Sequence, residues 1–331
     1  MPTNPLYAIE VVKPGLATSV QDTGRLGYYH VGIPPSGALD QYALRAANLL
    51  VGNPEGAAVL ECTLLGPQLL FHVDTLIAVT GAEMQPKIDG VAHACNVALR
   101  IKAGSTLTFE YVKGGARACL AVAGGIDVPV VLGSRSTYTL GAFGGHEGRR
   151  LQKGDQLRIG KTRGPAREGT ELPERLRTPL AREVELRVLP GLYFHRLTDE
   201  SSITFYEDTW TVAPEADRIG YRYKQGRPLK FREREQPFGA GSDPSNIVDA
   251  CYPIGSIQVP AGLEPIILHL DAVSGGGYAT IGTVISADMD LIGQMQPNHQ
   301  ARFLPVTMTQ ALAARRDAQL RLARLREVLL R

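Results

Sequence analysis

Apolar residues in this chain come in short runs, and glycine or proline closes nearly every one. There are 36 Gly and 22 Pro in 331 residues, so few stretches are left in which a long helix could form. The runs at residues 7–13, 57–62, 68–73, 76–80, 97–101, 106–111 and 117–123 are rich in Val, Ile, Leu and Thr. So are those at 183–189, 209–212, 256–259, 265–270 and 280–286. Each is bounded by Gly, Pro, Asn or Asp, which predicts strands. Many short strands separated by turns point to closed or sandwiched antiparallel sheets. A doubly wound parallel sheet needs long helices between its strands, and these are missing. The expected class is mainly β with few helices, in two domains, each able to hold a β-barrel.

Three helices are expected. Residues 40–51 carry apolar side chains at 43, 44, 47, 50 and 51, start at Asp40 and stop at Gly52-Asn53-Pro54. Residues 286–295 have Ser286 as a cap and Asp288 near the start, which suits the helix dipole. Residues 309–330 are rich in Arg and Leu. This last pattern suits a surface helix docked by its Leu stripe, or a contact for an anionic or protein partner. Residues 160–182 hold three Pro, three Gly, no aromatic residue and dense charge, which reads as a linker over 161–182. It separates an N-terminal domain, 1–160, from a C-terminal barrel domain with the last helix, 183–331.

Charge excludes some partners. Lys and Arg total 35 against 33 Asp and Glu, a net charge of +2, so no global basic field for nucleic acid exists. One Trp and 6% aromatic residues give no stacking platform for single strands. No apolar stretch is long enough for a membrane helix, and the first residues, MPTNPLYAIE, lack a basic and an apolar signal region. Cys62, Cys95, Cys119 and Cys251 form no CxxC pair and read as reduced thiols of a cytoplasmic protein. The seven His are scattered with no HxH or HExxH, so no metal site is expected. There is no GxxxxGK[ST] phosphate loop, no strand-linked GxGxxG and no GxSxG elbow.

Polar, glycine-rich breaks concentrate in three places. The first holds Gln21, Asp22, Gly24, Arg25, Gly27, Gly32, Ser36, Gly37 and Asp40. It reads either as a loop around a small polar ligand or as a turn-rich crossing into the first helix. The second holds Asp243, Ser245, Asn246, Asp249 and Tyr252. The third runs from Asp271 through Ser274, Gly275, Gly276 and Gly277 to Tyr278, where a loop of consecutive glycines could form an anion nest or oxyanion hole. An amide substrate presents N–H donors and a C=O acceptor, which Gln21, Asn246 and a carboxylate can match. Asp22, Asp249 and Asp271 are the candidate bases. The three segments are expected to meet in one cleft.

The run Ser19-Val-Gln21-Asp22-Thr-Gly24-Arg25-Leu-Gly27, followed by Ser36-Gly37-Ala38-Leu39-Asp40, resembles the start of the allophanate hydrolase subunit 2 family, also called carboxyltransferase subdomain A/B. Ala121-Val-Ala-Gly124-Gly125-Ile-Asp127-Val-Pro129, Gly144-Gly145-His-Glu147-Gly148-Arg149, Asp217-Arg218-Ile-Gly220-Tyr221-Arg222 and Gly277-Tyr278 agree. The resemblance implies cyclophilin-like barrels and an enzyme subunit working with a partner similar to allophanate hydrolase subunit 1. It adds Arg218 and Tyr221 to the substrate-binding candidates. It implies one of two reactions: carboxyl transfer from biotin on another chain to a urea- or amide-type nitrogen, or ATP-driven hydrolysis of a lactam by a 5-oxoprolinase-type complex. Biotin carboxylase, a biotin carrier or a lactam-utilisation protein would be the further partners. A third role known in the family is regulatory, as antagonist of a kinase inhibitor. Where the 5-oxoprolinase-like subgroup typically reads Thr-Thr-Gly-Gly-Tyr-Pro, this chain reads Ser274-Gly-Gly-Gly-Tyr278-Ala279. Ser245, Asn246, Asp249 and the stretch from Tyr252 to Ile257 are similar to urea carboxylases. These differences favour carboxyl transfer, with the extra glycine widening a loop beside the substrate for a biotin ring.

Overall fold

The computed structural model describes residues 7–162, 164 and 166–330. Residues 1–6, Arg163, Pro165 and Arg331, which belong to the expected first domain, linker and C-terminal domain, lie outside the described residues. The chain forms two compact units. One comprises residues 7–25, 36–180 and 321–330, the other 26–35 and 181–320.

The first unit is built on two antiparallel sheets. A five-stranded sheet runs in the order Ala17–Gln21, Val59–Thr63, Arg117–Val122, Thr75–Gly81, Ala98–Ile101. A seven-stranded sheet centres on Ile9–Lys13, Gln68–Phe71 and Thr106–Phe109. Every residue of Arg117–Val122 is buried, and period-two alternation divides them between two cores. Ala118, Leu120 and Val122 join Ile9, Val11, Leu69, Phe71 and Leu107 of the facing sheet. Cys119 and Ala121 face the helix Gln41–Leu50 through Leu44 and Leu50. Asp40 caps that helix, its Oδ1 accepting the Ala43 N–H at 2.8 Å. Burial in this core pushes the Cys62 thiol up to about 12.

Most of the expected linker is not a linker. The backbone bonds from Ala98 N to Thr170 O and from Leu172 N to Asn96 O, both 2.8 Å, tie it to the first unit. Leu172 and Leu176 are buried in the helix-side core. Its charges face outward around these two leucines, which composition alone concealed. The C-terminal helix Met308–Leu329 also differs from expectation. From Arg321 onward it belongs to the first unit. There Leu325 is fully buried, Arg321 lies 3.8 Å over the Tyr42 ring, and Arg326 pairs with Glu55. The docked Leu stripe is the arrangement found in these last turns.

The second unit is a closed barrel in the order Glu183–Pro190, Thr280–Val284, Ser256–Gln258, Ile266–Leu268, Gly220–Lys224, Trp210–Ala216, Gln300–Pro305. The last strand closes the ring by pairing in parallel with the first, Glu183 opposite Gln300 through Val188 opposite Pro305. Phe303 is stacked at 4.8 Å on Phe205, which comes from the helix Asp199–Glu207, and buried Tyr223 and Trp210 surround it. Sequence periodicity showed neither this helix nor the strands Ala17–Gln21 and Gly220–Lys224.

Candidate functional site

The N-terminal polar cluster is a buried anchor. Asp22 accepts four hydrogen bonds. Gly24 N (2.8 Å), Ser134 Oγ (2.6 Å) and Ser136 Oγ (2.5 Å) donate to Oδ1, and Arg135 N (2.6 Å) donates to Oδ2. Gln21 Nε2 donates to Ser19 Oγ at 3.0 Å and to the Thr137 carbonyl at 3.2 Å, while its Oε1 accepts from Gly37 N at 3.1 Å. Arg25 Nε donates to Val131 O at 3.1 Å and Nη2 to Ser136 O at 2.8 Å, with its guanidinium 4.8 Å over the Phe143 ring. Gln21, Asp22, Arg25, Ser36 and Asp40 are all buried. Of the two sequence readings of this segment, the crossing is the one the geometry matches. The side chains hold the chain's own backbone, and a carboxylate already accepting four bonds offers little to a substrate proton.

The second and third clusters do come together, but as a ribbon. Asn246–Cys251 and Gly275–Tyr278 are antiparallel strands, with Asn246 opposite Tyr278 and Ala250 opposite Gly276. The expected glycine nest is therefore absent. A nest needs residues of alternating handedness, and none of Gly275, Gly276 and Gly277 has a left-handed φ. Their missing Cβ atoms serve close packing. A Cβ on Gly276 would lie 3.0 Å from the Tyr252 ring, and one on Gly275 3.0 Å from the Ala250 carbonyl. The room the glycines leave is filled by the protein itself, so the loop-widening argument for a biotin ring does not hold.

Tyr252 is the residue sequence reasoning underrated. Its hydroxyl accepts from Tyr278 N at 2.6 Å and donates to Tyr278 O at 2.9 Å, clamping the end of the glycine strand. Its ring packs with Leu268 and Ala272. Burial pushes its pKa up, so the hydroxyl stays a donor through neutral and mildly alkaline pH. Tyr252→Phe is expected to cost about 1–2 kcal/mol and to speed amide exchange at Tyr278, by taking the hydroxyl partner from that residue's backbone N–H and C=O. Unchanged exchange at Tyr278 would show that the clamp is idle.

Beside the ribbon, Asp271 is almost fully buried and pairs with Arg218, Nε to Oδ2 at 2.8 Å and Nη2 to Oδ1 at 3.3 Å. The Asp271 N–H also donates to the Arg218 carbonyl at 2.9 Å, so backbone and side chains are locked together. Tyr221, buried in the barrel, has its ring 6.1 Å from that of His269. Ser245 Oγ donates to Asp243 Oδ1 at 2.6 Å and accepts from Ala261 N at 3.0 Å. The Ser274 carbonyl accepts from Tyr252 N at 2.8 Å. Asp249 differs from the other two candidate bases. It is exposed on the ribbon and makes no ion pair among the described residues, and a Cβ on Gly275 would sit 3.6 Å from its Oδ1. The second unit thus gathers Asn246, Asp249, Arg218, Asp271, Tyr252 and Tyr278, while Gln21, Asp22, Arg25, Ser36 and Asp40 belong to the first. Among the described residues no group of His, Cys, Asp and Glu is placed to hold a metal, and no helix is long and apolar enough to cross a membrane.

The closed barrel, its ribbon and the preceding two-sheet unit define a carboxyltransferase domain of subdomain A and B type, whose family model matches residues 31–305. The chain belongs to that family. It is 38% identical to the C subunit of 5-oxoprolinase from Escherichia coli, over 94% of this chain and 95% of the relative. It is 36% identical to urea amidolyase of Saccharomyces cerevisiae over 91% of this chain, but it spans only 17% of that protein. The crystal structure of the K. lactis urea amidolyase superposes with a TM-score of 0.90 at 35% identity, covering 96% of this chain and 20% of that one. These relatives are enzymes or enzyme subunits, and the Escherichia coli protein is one member of a multi-subunit assembly.

Proposed function

We infer that this chain is one subunit of a multi-subunit enzyme acting on an amide- or lactam-type substrate, in the manner of the C subunit of a 5-oxoprolinase. One observation carries the reading: the chain and that relative match along nearly their full lengths. A second reading, carboxyl transfer to a urea- or amide-type nitrogen, draws support from the TM-score of 0.90 with a urea amidolyase. It has lost the argument from a widened glycine loop.

In either reaction Asp249 is the carboxylate left to accept a proton, from the attacking water or from the amide nitrogen. Arg218 and Asp271 fix the turn that leads into the ribbon, and Asn246 offers both halves of an amide pair. ATP would supply the driving force for lactam opening. The extended glycine strand is no phosphate cradle, so the nucleotide is assigned to a partner subunit, and likewise biotin under the second reading. A partner similar to allophanate hydrolase subunit 1 completes the assembly.

The test is turnover by the purified complex of this chain, the subunit-1-like partner and a lactam-activating protein. ATP-dependent glutamate release from 5-oxoproline without biotin is expected, and none from this chain alone. Labelled bicarbonate appearing in a urea- or amide-derived product, only with a biotinylated carrier and biotin carboxylase, would instead establish the transfer reading. Failure of both reactions in a complex that assembles would overturn the enzyme assignment.

A further inference from the structure

The first unit carries a cavity of about 570 Å³, within the roughly 300–1,000 Å³ common for small-molecule sites. One wall is the segment 142–148, whose sequence is rich in glycine but matches no nucleotide motif. Its backbone is left-handed at Gly144, Gly145 and Gly148, and also at Ala142 (φ 52°) and Glu147 (φ 54°). The last two are not glycines, and each such residue costs on the order of 1–2 kcal/mol. The cost is sustained because the wall is pressed onto the Asp22 anchor. A Cβ on Gly144 would strike the Ser136 carbonyl and one on Gly145 the Thr137 hydroxyl. Arg25 reaches the same wall from behind. It bonds the carbonyls of Val131 and Ser136 and covers the Phe143 ring, and both Val131 and Phe143 line the cavity. The buried cluster therefore preorganises a concave surface.

The charges around that surface are unevenly committed. Asp127 is paired with Arg135 at 3.1 Å, and Glu147 with Arg149 at 2.6 Å. Asp155, 3.5 Å from His146 Nε2, is held by Arg149 through two bonds of 2.7 and 2.8 Å. Each of these carboxylates is thus committed to an arginine. Arg158 has no carboxylate of its own: among the described residues its partner is the Tyr7 ring, 5.4 Å away. Tyr7, Phe143, Val131 and Leu157 supply apolar lining beside it. The lining is mixed, with Asp127, His146 and Gln156 beside Tyr7 and Phe143. A guanidinium without an ion pair among the described residues, at the edge of such a hollow, is matched by a carboxylate on a ring-sized body.

We propose that this cavity is a binding site for small cyclic or aromatic monocarboxylates, with Arg158 holding the carboxylate and Phe143 and Tyr7 flanking the ring. The site lies wholly in the first unit, on residues other than those of the Asp249 ribbon. Because 5-oxoproline is itself a cyclic monocarboxylate, its fit here would rest on the lactam reading, whereas binding of benzoate does not. Benzoate and its neutral isostere benzamide are the probes, titrated into the full chain and followed by ligand-observed NMR and calorimetry. Benzoate is expected to saturate with a dissociation constant on the order of 1 mM, and benzamide to bind at least about tenfold more weakly. Arg158→Gln, on an exposed strand position, should bring benzoate down to the level of benzamide and leave the melting temperature unchanged. Phe143→Leu should weaken both probes alike. Equal binding of the two probes, no effect of Arg158→Gln, or no saturation by benzoate at about 20 mM would each overturn the assignment.

Discussion

Asp22→Asn is expected to destabilise the first unit by about 3 kcal/mol, a drop in melting temperature of about 10 °C. The carboxylate accepts from two serine hydroxyls and two backbone N–H groups, and it is 7% exposed. An amide turns one acceptor into a donor that faces other donors, so at least one buried N–H or O–H loses its partner. Nothing about the substitution relieves that, because Ser134, Arg135 and Ser136 are held in place by Arg25 and by the wall at Gly144 and Gly145. Calorimetric melting of the variant decides the matter. A melting point within about 2 °C of the parent would show that the network is slack and that Asp22 is available for chemistry after all.

Arg218→Met should be nearly as costly, about 3 kcal/mol, because it strands the Asp271 carboxylate, 4% exposed, without a countercharge. The double variant Arg218→Met with Asp271→Leu is expected to recover most of that stability, since two apolar groups replace a desolvated pair. Turnover of the assembled complex should behave differently. It should stay at least about tenfold below the parent in both single variants and in the double, because the pair sets the approach to the ribbon that carries Asp249 and Asn246. Restoration of turnover together with stability would reduce the pair to a structural element and remove it from the candidate site.

How far the sequence spoke for the fold depended on where each segment's partners lie. Arg117–Val122 was legible because both its faces are apolar, so no neighbour had to be known to see a buried strand. The helix Gln41–Leu50 was legible from its cap and its stop. The ribbon was not. Glycine is a poor strand former on average, so Gly275–Gly277 reads as a loop until the ring of Tyr252, more than twenty residues earlier in the chain, is seen to lie against it. The Asp22 cluster was visible as a concentration of polar residues, but its purpose was hidden. Its partners Ser134 and Ser136 lie 112 and 114 residues away, and only they distinguish an anchor from a ligand loop. Leu172 and Leu176 were hidden in the same way, two apolar positions in a segment whose charge suggested solvent. Asp249, Asn246, Arg218 and Asp271 were found as candidates, and the structure gathers them in one unit without assigning their roles.

The parallel pairing of Glu183–Pro190 with Gln300–Pro305 has a consequence for biosynthesis. The two strands that seal the ring are separated by more than a hundred residues, and the sealing strand also pairs with Trp210–Ala216. Until the ribosome has delivered Gln300–Pro305, the nascent barrel keeps an open seam, with two hydrogen-bonding edges and the socket of Phe303 exposed to other chains. A message or protein that ends before residue 300 therefore yields sticky, unsealed chains, and long-range closure of this kind is slow. The first unit has no such wait for its sheets, all of whose strands are made by residue 159. During synthesis those sheets can order while the barrel is still waiting for its last stave.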